Sequence, residues 1–491
     1  MIEKLQNCES NFPNLLYCKC TFIKCPTNLI LNVRHKRKKD KIMANKKLMT
    51  LESIDIKNMF EIFNYNIKYP KDENVLIITG PNGFGKTQVL NILFNLFNRK
   101  FVFFQNLVFD EITVNLSDGV SIEIIKKEIN KNSKTKKRST QLNIVFKKKK
   151  SVIEIYTYSS EFDSNLMRHL DDFLPVSRIS GERWVNHRTD QIYSLEQVLE
   201  EFGDRLPPEI INSYQKVKSK LANDILDSID VHLIREQRLF QKVNRSDSRH
   251  YSRSERDQNI MTETIQEYSN ELKGLINDKI QQSYTISQTL DSSYPNRLIN
   301  EKEKVSKEEY DKRFADLTEK QAKLTRNGLY ESKQKVLGYS KDDSKALLVY
   351  LNDLENKLII FDDLLEKLEL FTNILNERRF TFKSIHINRE NGFYFKTTKG
   401  KELKLNQLSS GEQHEVVLLY ELIFKTRPSI LVLIDEPEIS LHITWQKEFL
   451  DDLLRIIKIQ NFQVLIATHS PSIINDRWDL VYNLQKAEVN D

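Results

Sequence analysis

Four stretches of the chain are short, nearly uninterrupted runs of aliphatic and β-branched residues: "NVLIITG" (Asn74–Gly80), "VHLIREQRLF" (Val231–Phe240), "SILVLIDEPEIS" (Ser429–Ser440) and "FQVLIATHS" (Phe462–Ser470). Runs of this length and composition predict core strands, and those without polar alternation predict strands buried on both faces. The first is followed by "QVLNILFNLF", apolar at helical spacing. Between residues 101 and 158 the pattern changes to alternation or β-branched enrichment, in "FVFFQNLVF", "EITVNL", "VSIEIIKKEI", "QLNIVFKKKK" and "VIEIYTY", with "SDG" as a turn between two of them. These read as an antiparallel meander. Residues 160–230 are polar and irregular, with helical pieces and "LPPE" as a break. From about Ser254 to Arg379 glycine and proline are sparse and charges dense; "EEYDKRFADLTEKQAKL" and "VYLNDLENKLIIFDDLLEKLELFTNILNERRF" place apolar residues three and four apart, which predicts two or more long helices. A 40-residue arm would reach roughly 60 Å at 1.5 Å per residue. Two further strands, "SIHINRE" and "GFYFKTT", follow.

Chemistry sits where these elements begin and end. "GPNGFGKT" (Gly80–Thr87) joins the first strand to the first helix. A strand, G-x4-G-K-T and a helix together make a phosphate-binding loop in its required context. Gly80, Gly83 and Gly85 let the backbone turn tightly around Pro81 and Asn82 and aim N–H groups at phosphates, and the helix N-terminus adds a favourable dipole. Lys86 suits the β- and γ-phosphates and Thr87 a Mg²⁺ ion. More than 300 residues later "LSSGEQHEVV" (Leu408–Val417) opens another helix, with Ser409 as a helix cap and Glu412 in the first turn. The strand ending at Asp435-Glu436 offers one carboxylate for Mg²⁺ and a second to orient and deprotonate water. His469 ends the last strand, placed to sense a terminal phosphate. Gln237, at the end of the second strand, is a further Mg²⁺ candidate, with an ordinary polar strand end as its alternative.

Composition changes this picture only locally. The net charge is +6, but residues 1–50 carry 11 lysines and arginines against 3 acids, leaving 64 against 66 in the remainder. Bulk charge therefore gives no argument for nucleic acid. All four cysteines (Cys8, Cys18, Cys20, Cys25) fall in the same N-terminal stretch, at spacings that match a zinc site poorly. That stretch reads as a basic extension without fixed structure, with Met43 as the expected working start. Residues 126–150 hold 11 basic residues and one acid, a lysine-rich hairpin tip that keeps strand edges from pairing or, alternatively, a nucleic-acid patch. No run approaches the ~18 apolar residues of a membrane helix, and the lack of cysteine elsewhere suits the cytoplasm.

"GPNGFGKT", "LSSGEQ", "LVLIDEPEISLH" and "LIATHSP" resemble the P-loop, signature, Walker B with D-loop and His-switch of ABC-type ATPases. Their placement at the two ends of the chain, around a helical insert, resembles the OLD, RecF and SMC branch rather than transporter subunits. The wording "DEPEISLH" and "ATHSPSIINDRWD" is closest to OLD-like ATPases of bacterial phage-defence systems, including PARIS-like and Septu-like pairs. Ser410 replaces a second signature glycine, and "SLHIT" lacks a proline common after that histidine; neither change removes a catalytic group.

The resemblance implies an α/β fold: a P-loop ABC-type head, a mixed sheet with an antiparallel meander, interrupted by a helical or short coiled-coil insert. Residues 49–253 would form the first half of the head, 254–380 the insert and 381–491 the second half, after the extension of residues 1–48. It implies ATP and Mg²⁺ as cofactors, Glu436 and His469 as catalytic groups, and Ser409, Ser410, Gly411 and Glu412 contacting ATP held by a second copy in a head-to-tail dimer. OLD nucleases carry a nuclease domain after the head, whereas this chain ends 22 residues past His469. The expectation is an ATPase that is not itself a nuclease, acting as sensor or regulator beside a separate effector protein; the alternative is a DNA-binding repair ATPase of the RecF or SMC type.

Overall fold

The computed structural model describes residues 49–491 apart from 72, 130–138, 160–173, 175, 181–182, 187–190, 195–197, 199–218, 236–239, 243–260, 332–337, 440, 487, 490 and 491. The expected N-terminal extension and Gln237 lie outside the described residues.

The strands sort into two principal sheets. A parallel sheet of five is built from β3 (Val75–Thr79), β11 (Asp230–Ile234), β17 (Ile430–Asp435), β18 (Gln463–Ala467) and β19 (Val481–Asn483), in the order β11-β17-β18-β3-β19. The period of two along each strand divides its side chains between two cores. Val75, Ile77, Val432, Ile434, Val464 and Ile466 face one core, and Leu76, Ile78, Leu431, Leu433, Leu465 and Ala467 the other. This two-sided burial is why these strands read as apolar runs rather than as alternation.

The second sheet is antiparallel. Its strands are β1 (Leu51–Met59), β2 (Phe63–Lys68), β4 (Glu111–Leu116), β5 (Val120–Ile129), β6 (Ser139–Lys148), β7 (Ser151–Ser159) and β20 (Glu488–Val489), in the order β20-β2-β1-β4-β5-β6-β7. Helix α1 (Lys86–Phe97) buries Val89, Leu90, Ile92, Leu93 and Leu96 in the core shared by the two sheets. Gln463, at the start of β18, joins them polarly: its Oε1 accepts from the Leu51 N–H at 2.8 Å and its Nε2 donates to the Leu51 carbonyl at 3.1 Å.

The insert contains α2 (Thr264–Asn300), α3 (Lys307–Arg326), α4 (Ser344–Leu358) and α5 (Asp362–Ile374), packed as a lobe on the other core. At 37 residues α2 is about 55 Å long. It is rooted against α6 (Ser410–Tyr420) and the π-helical turn Glu421–Lys425 that continues it. The Tyr268 and Tyr420 rings stack at 4.6 Å, the Tyr268 hydroxyl donates to Glu421 Oε1 at 2.7 Å, and Lys425 pairs with Glu271. On the same glutamate, Oε2 lies 3.3 Å from His232 Nε2 on β11. The two strands expected after the insert, β14 (Lys383–Asn388) and β15 (Gly392–Thr397), pair antiparallel, and β15 docks on α2.

Two expectations need correction. "FVFFQNLVF" is not a strand of the meander: Val102–Asn106 is helical. Phe101, Phe104 and Leu107 are buried, and their spacing of three is that of a helix turn, so packing overrides aromatic β-propensity. The polar stretch 160–230 contains a small antiparallel sheet, β8 (Val176–Ser180), β9 (Arg183–Asn186) and β10 (Ile192–Ser194), organised on the fully buried Trp184, besides the helix Lys220–Leu226. The insert holds more than one long helix, as expected: within the apolar pattern from Val349 to Phe380 a 3-10 turn at Ile359–Phe361 separates α4 from α5, with Phe361 turned into the core and Ile359 into solvent.

Gly392 marks where the lobe meets the β14–β15 hairpin. Its φ is +74°, and a Cβ there would lie 1.9 Å from the Ser269 carbonyl oxygen, a backbone atom of α2. Gly392→Ala combines a left-handed conformation with this clash, so it should destabilise the protein by roughly 2 kcal/mol or more. Denaturant unfolding of the two proteins measures this; Gly274→Ala, where a Cβ meets nothing within 4 Å, is the control.

Candidate nucleotide site

The parallel register aligns the carboxyl ends of the central strands. Asp435 pairs with Ala467, and Ala467 with Ile78. The loops leaving β3, β17 and β18 therefore emerge along one edge, the place where open parallel sheets bind ligands.

The first loop is Gly80–Gly85. Gly85 caps α1 with φ +78°, and a Cβ there would meet Met59 Cε at 2.1 Å. The loop is pinned by Tyr65, whose hydroxyl donates to the Phe84 carbonyl at 2.7 Å, and by Phe63 against the Phe84 ring at 5.1 Å. Burial pushes the Tyr65 phenol above its ordinary value, so it remains a donor. Lys86 is buried, and its Nζ donates to the Gly80 carbonyl at 2.9 Å and the Pro81 carbonyl at 3.4 Å. The side chain thus curls back from the start of α1 over the loop that precedes it.

Thr87 Oγ1 donates to Asp435 Oδ1 at 3.1 Å across 348 positions of sequence. A hydroxyl and a carboxylate at this separation are hard oxygen donors, and the set fits Mg²⁺. Beyond Asp435 the chain enters the left-handed region at Glu436, φ +45°, held by its N–H donating to the Ala467 carbonyl at 2.9 Å. A non-glycine residue at positive φ is uncommon and clusters at functional sites. Glu436 Oε2 lies 3.0 Å from His469 Nδ1, and Glu438 Oε1 lies 3.4 Å from the same nitrogen. Glu438 is buried and accepts from Thr468 Oγ1 at 2.7 Å and the His469 N–H at 3.1 Å. It clamps the loop after β18 to the loop after β17.

Ser409, Ser410, Gly411 and Glu412 begin α6, with both serines exposed. Ser409 and Glu412 form a reciprocal capping box: Glu412 N–H donates to Ser409 Oγ at 3.4 Å, and Ser409 N–H to Glu412 Oε2 at 2.8 Å. Lys383 Nζ, on β14, donates to Glu412 Oε2 at 2.9 Å. Burial opposes ionisation of Glu412, but the Lys383 ammonium and the Ser409 N–H and hydroxyl outweigh it and hold the carboxyl below its ordinary value.

The structure thus brings Gly80–Thr87, Asp435, Glu436 and His469 to one edge. The polar contacts of Ser409 and Glu412 run instead to each other, to Lys383 and to α6. Sequence reasoning missed Tyr65, Lys383 and Glu438. The only trace of Glu438 was a second acid two residues after Glu436; Tyr65 and Lys383 carried no signal short of the fold.

A family model described as an AAA ATPase domain matches residues 49–474. The DNA double-strand break repair Rad50 ATPase of Sulfurisphaera tokodaii is 29% identical over 113 residues, 22% of this chain and 13% of that protein. This chain therefore aligns with only a small part of that curated relative's length. Among solved structures, the SMC head domain with an extended coiled coil bound to the C-terminal domain of ScpA, from Pyrococcus furiosus, matches 90% of this chain and 96% of that chain, at 12% identity and a TM-score of 0.34. The SMC head domain from Thermotoga maritima matches 88% and 94%, at 11% identity and a TM-score of 0.30.

Because its folded pKa is depressed, Glu412 contributes stability that is fully present above its unfolded value of 4.5 and is lost as pH falls through the folded value. Lys383→Met should raise the Glu412 pKa toward that unfolded value, so that the pH-dependent contribution becomes smaller and its loss is complete at a higher pH. Carboxyl ¹³C titration of the two proteins reads it directly; an unmoved Glu412 would refute the pairing.

Proposed function

The chain belongs to the AAA ATPase domain family, and from that premise we propose that it is an ATP-driven switch whose site is the edge formed by Gly80–Thr87, Asp435, Glu436 and His469. The observation that carries this reading is the Thr87–Asp435 hydrogen bond beside the Glu436–His469 pair, which draws three distant segments into the arrangement that phosphoryl transfer needs.

In this reading the backbone of Gly80, Pro81, Asn82, Gly83 and Gly85 wraps the phosphates. Lys86 exchanges its two carbonyl partners for β- and γ-phosphate oxygens. Thr87 and Asp435 would hold Mg²⁺, with Gln237 as a further ligand, and the bound ion would supply neutralisation of phosphate charge. Glu436 orients the attacking water and takes its proton, and His469 reads the terminal phosphate. A second copy packs head to tail, so that the exposed Ser409 and Ser410, with Gly411, meet the nucleotide held by the first. Glu412 then acts through the capping box that presents them. Residues 49–253 and 381–491 make the head, and residues 254–380 the insert.

The stacking of Tyr268 on Tyr420 and the Tyr268–Glu421 bond support the lobe as the element that moves with α6 and docks a partner. The likeness of "DEPEISLH" and "ATHSPSIINDRWD" to OLD-like ATPases supports a cytoplasmic sensor or regulator in antiviral defence, with the destructive chemistry in a separate effector. A second reading, a DNA-binding repair ATPase, is favoured by the segment similar to the archaeal Rad50 ATPase and by the run of lysines at 147–150. The two divide on one experiment. ATP turnover unchanged by duplex DNA, with a partner protein retained that is lost on deleting residues 300–350, supports the regulator. Stimulation by DNA with steep salt dependence supports repair.

Glu436→Gln keeps shape and hydrogen bonding but removes the base, so it should bind ATP and hydrolyse it at least ~10²-fold more slowly; near-normal turnover refutes the base assignment. Lys86→Ala should weaken ATP binding itself. Ser410→Arg in the Glu436→Gln background should leave each monomer able to bind ATP while abolishing ATP-dependent dimerisation, as read by light scattering with and without ATP.

A further inference from the structure

Glu438 is 7% exposed, yet only one of its carboxylate oxygens is used. Oε1 accepts two hydrogen bonds, from the Thr468 hydroxyl and the His469 N–H. Oε2 is buried and has no hydrogen-bond partner among the described residues. A bare buried carboxylate oxygen is costly, and natural structures rarely keep one without a ligand. The clamp between the two loops accounts for Oε1 and leaves Oε2 unexplained.

The surroundings of that carboxylate are those of a ligand set. One carboxylate oxygen each from Glu436 and Glu438 and one ring nitrogen of His469 all lie within 4.8 Å of one another. Donors bound to a single ion at 2.0–2.2 Å stand about 3–4 Å apart, and the two His469 Nδ1 separations, 3.0 and 3.4 Å, are of that size. The left-handed turn at Glu436 fixes one donor, the buried clamp fixes the second, and His469, half exposed at 51%, leaves an approach from solvent. Two carboxylates offset the charge of a divalent ion. A simple ion pair between a protonated His469 and the two acids reaches Glu438 through Oε1 and leaves Oε2 without a partner; an ion that Glu438 holds through both oxygens would supply one.

We propose that Glu436, Glu438 and His469 form a second cation site, separate in its donors from Thr87 and Asp435, that takes a first-row divalent ion. Two carboxylates favour Mn²⁺, and the imidazole favours the transition series over Mg²⁺ or Ca²⁺. The consequence for turnover rests on the functional reading above: an ion held there withdraws Glu436 from water and His469 from phosphate, so occupancy restrains hydrolysis until nucleotide and Mg²⁺ displace it. The binding claim does not rest on that reading.

The test uses the full chain without nucleotide, titrated with MnCl₂ and followed by electron paramagnetic resonance. Mn²⁺ has little affinity for thiols, which keeps the N-terminal cysteines out of the measurement. One ion should bind per chain, with a ¹⁴N coupling from the imidazole in the electron spin echo. Glu438→Gln and His469→Ala should each weaken binding at least about ten-fold, and His469→Ala should abolish the nitrogen coupling. Asp435→Asn should bind as the parent does. The half-exposed His469 side chain makes its variant safe for folding should Glu438→Gln fail a thermal melt. Absence of binding, affinity unchanged in both variants, or loss with Asp435→Asn alone would each overturn the site. Since no ATP is present, none of these outcomes bears on the ATPase assignment, which Glu436→Gln turnover tests separately.

Discussion

The three central strands of the parallel sheet, β3, β17 and β18, are buried on both faces, and most of the molecule follows from that constraint. A parallel strand buried on both sides cannot alternate apolar and polar residues; it alternates between two apolar cores. Val432 and Ile434 commit one side of β17 to the helical lobe, while Leu431 and Leu433 commit the other to α1 and the antiparallel sheet. A one-residue slip of β17 or β18 would exchange both sets at once. The register that prevents this also sets Asp435 level with Ala467 and Ala467 level with Ile78. With both faces covered, polar groups can gather only where the strands end. Packing the sheet therefore creates the site, and no separate force is needed to bring Thr87 to Asp435.

Two-sided burial also decides what was legible in the chain. Asn74–Gly80, Ser429–Asp435 and Phe462–Ala467 were readable as strands because two-sided burial writes itself as continuous apolar runs. The phosphate loop was readable because its glycines, lysine and threonine must stand at fixed spacing between a strand and a helix. Phe101–Phe109 misled because aromatic residues suit a strand and a buried helical turn equally. Only the burial of Phe101, Phe104 and Leu107 in the structure separates the two. The sheet around Trp184 was hidden by the polarity of its flanks.

The acidic cluster shows a second kind of illegibility. Glu438 and His469 are 31 positions apart, and nothing in either segment names the other. What joins them is the parallel pairing of β17 and β18, which carries the two following loops to a common height, where Thr468, His469 and Glu438 close a hydrogen-bonded clamp. A sequence reading can identify a carboxylate that ends a strand, but whether its neighbour two residues on turns into the core or into solvent depends on the φ of +45° at Glu436. That backbone choice lies outside any local pattern.

A different set of contacts joins α6 to the lobe, and their form limits how any motion could pass between them. α6 begins at the exposed capping box and continues into the π-helical turn that holds Glu421. Glu421 is shared by Tyr268 on α2 and His232 on β11. A displacement at Ser409 would therefore travel along a rigid helix to a carboxylate that both the lobe and the parallel sheet already grip. The Tyr268–Tyr420 stack and the Lys425–Glu271 pair sit within one turn of it. Closely packed contacts of this kind shift as a unit rather than deform gradually. The lobe is thus tied to α6 more tightly than a flexible tether would allow.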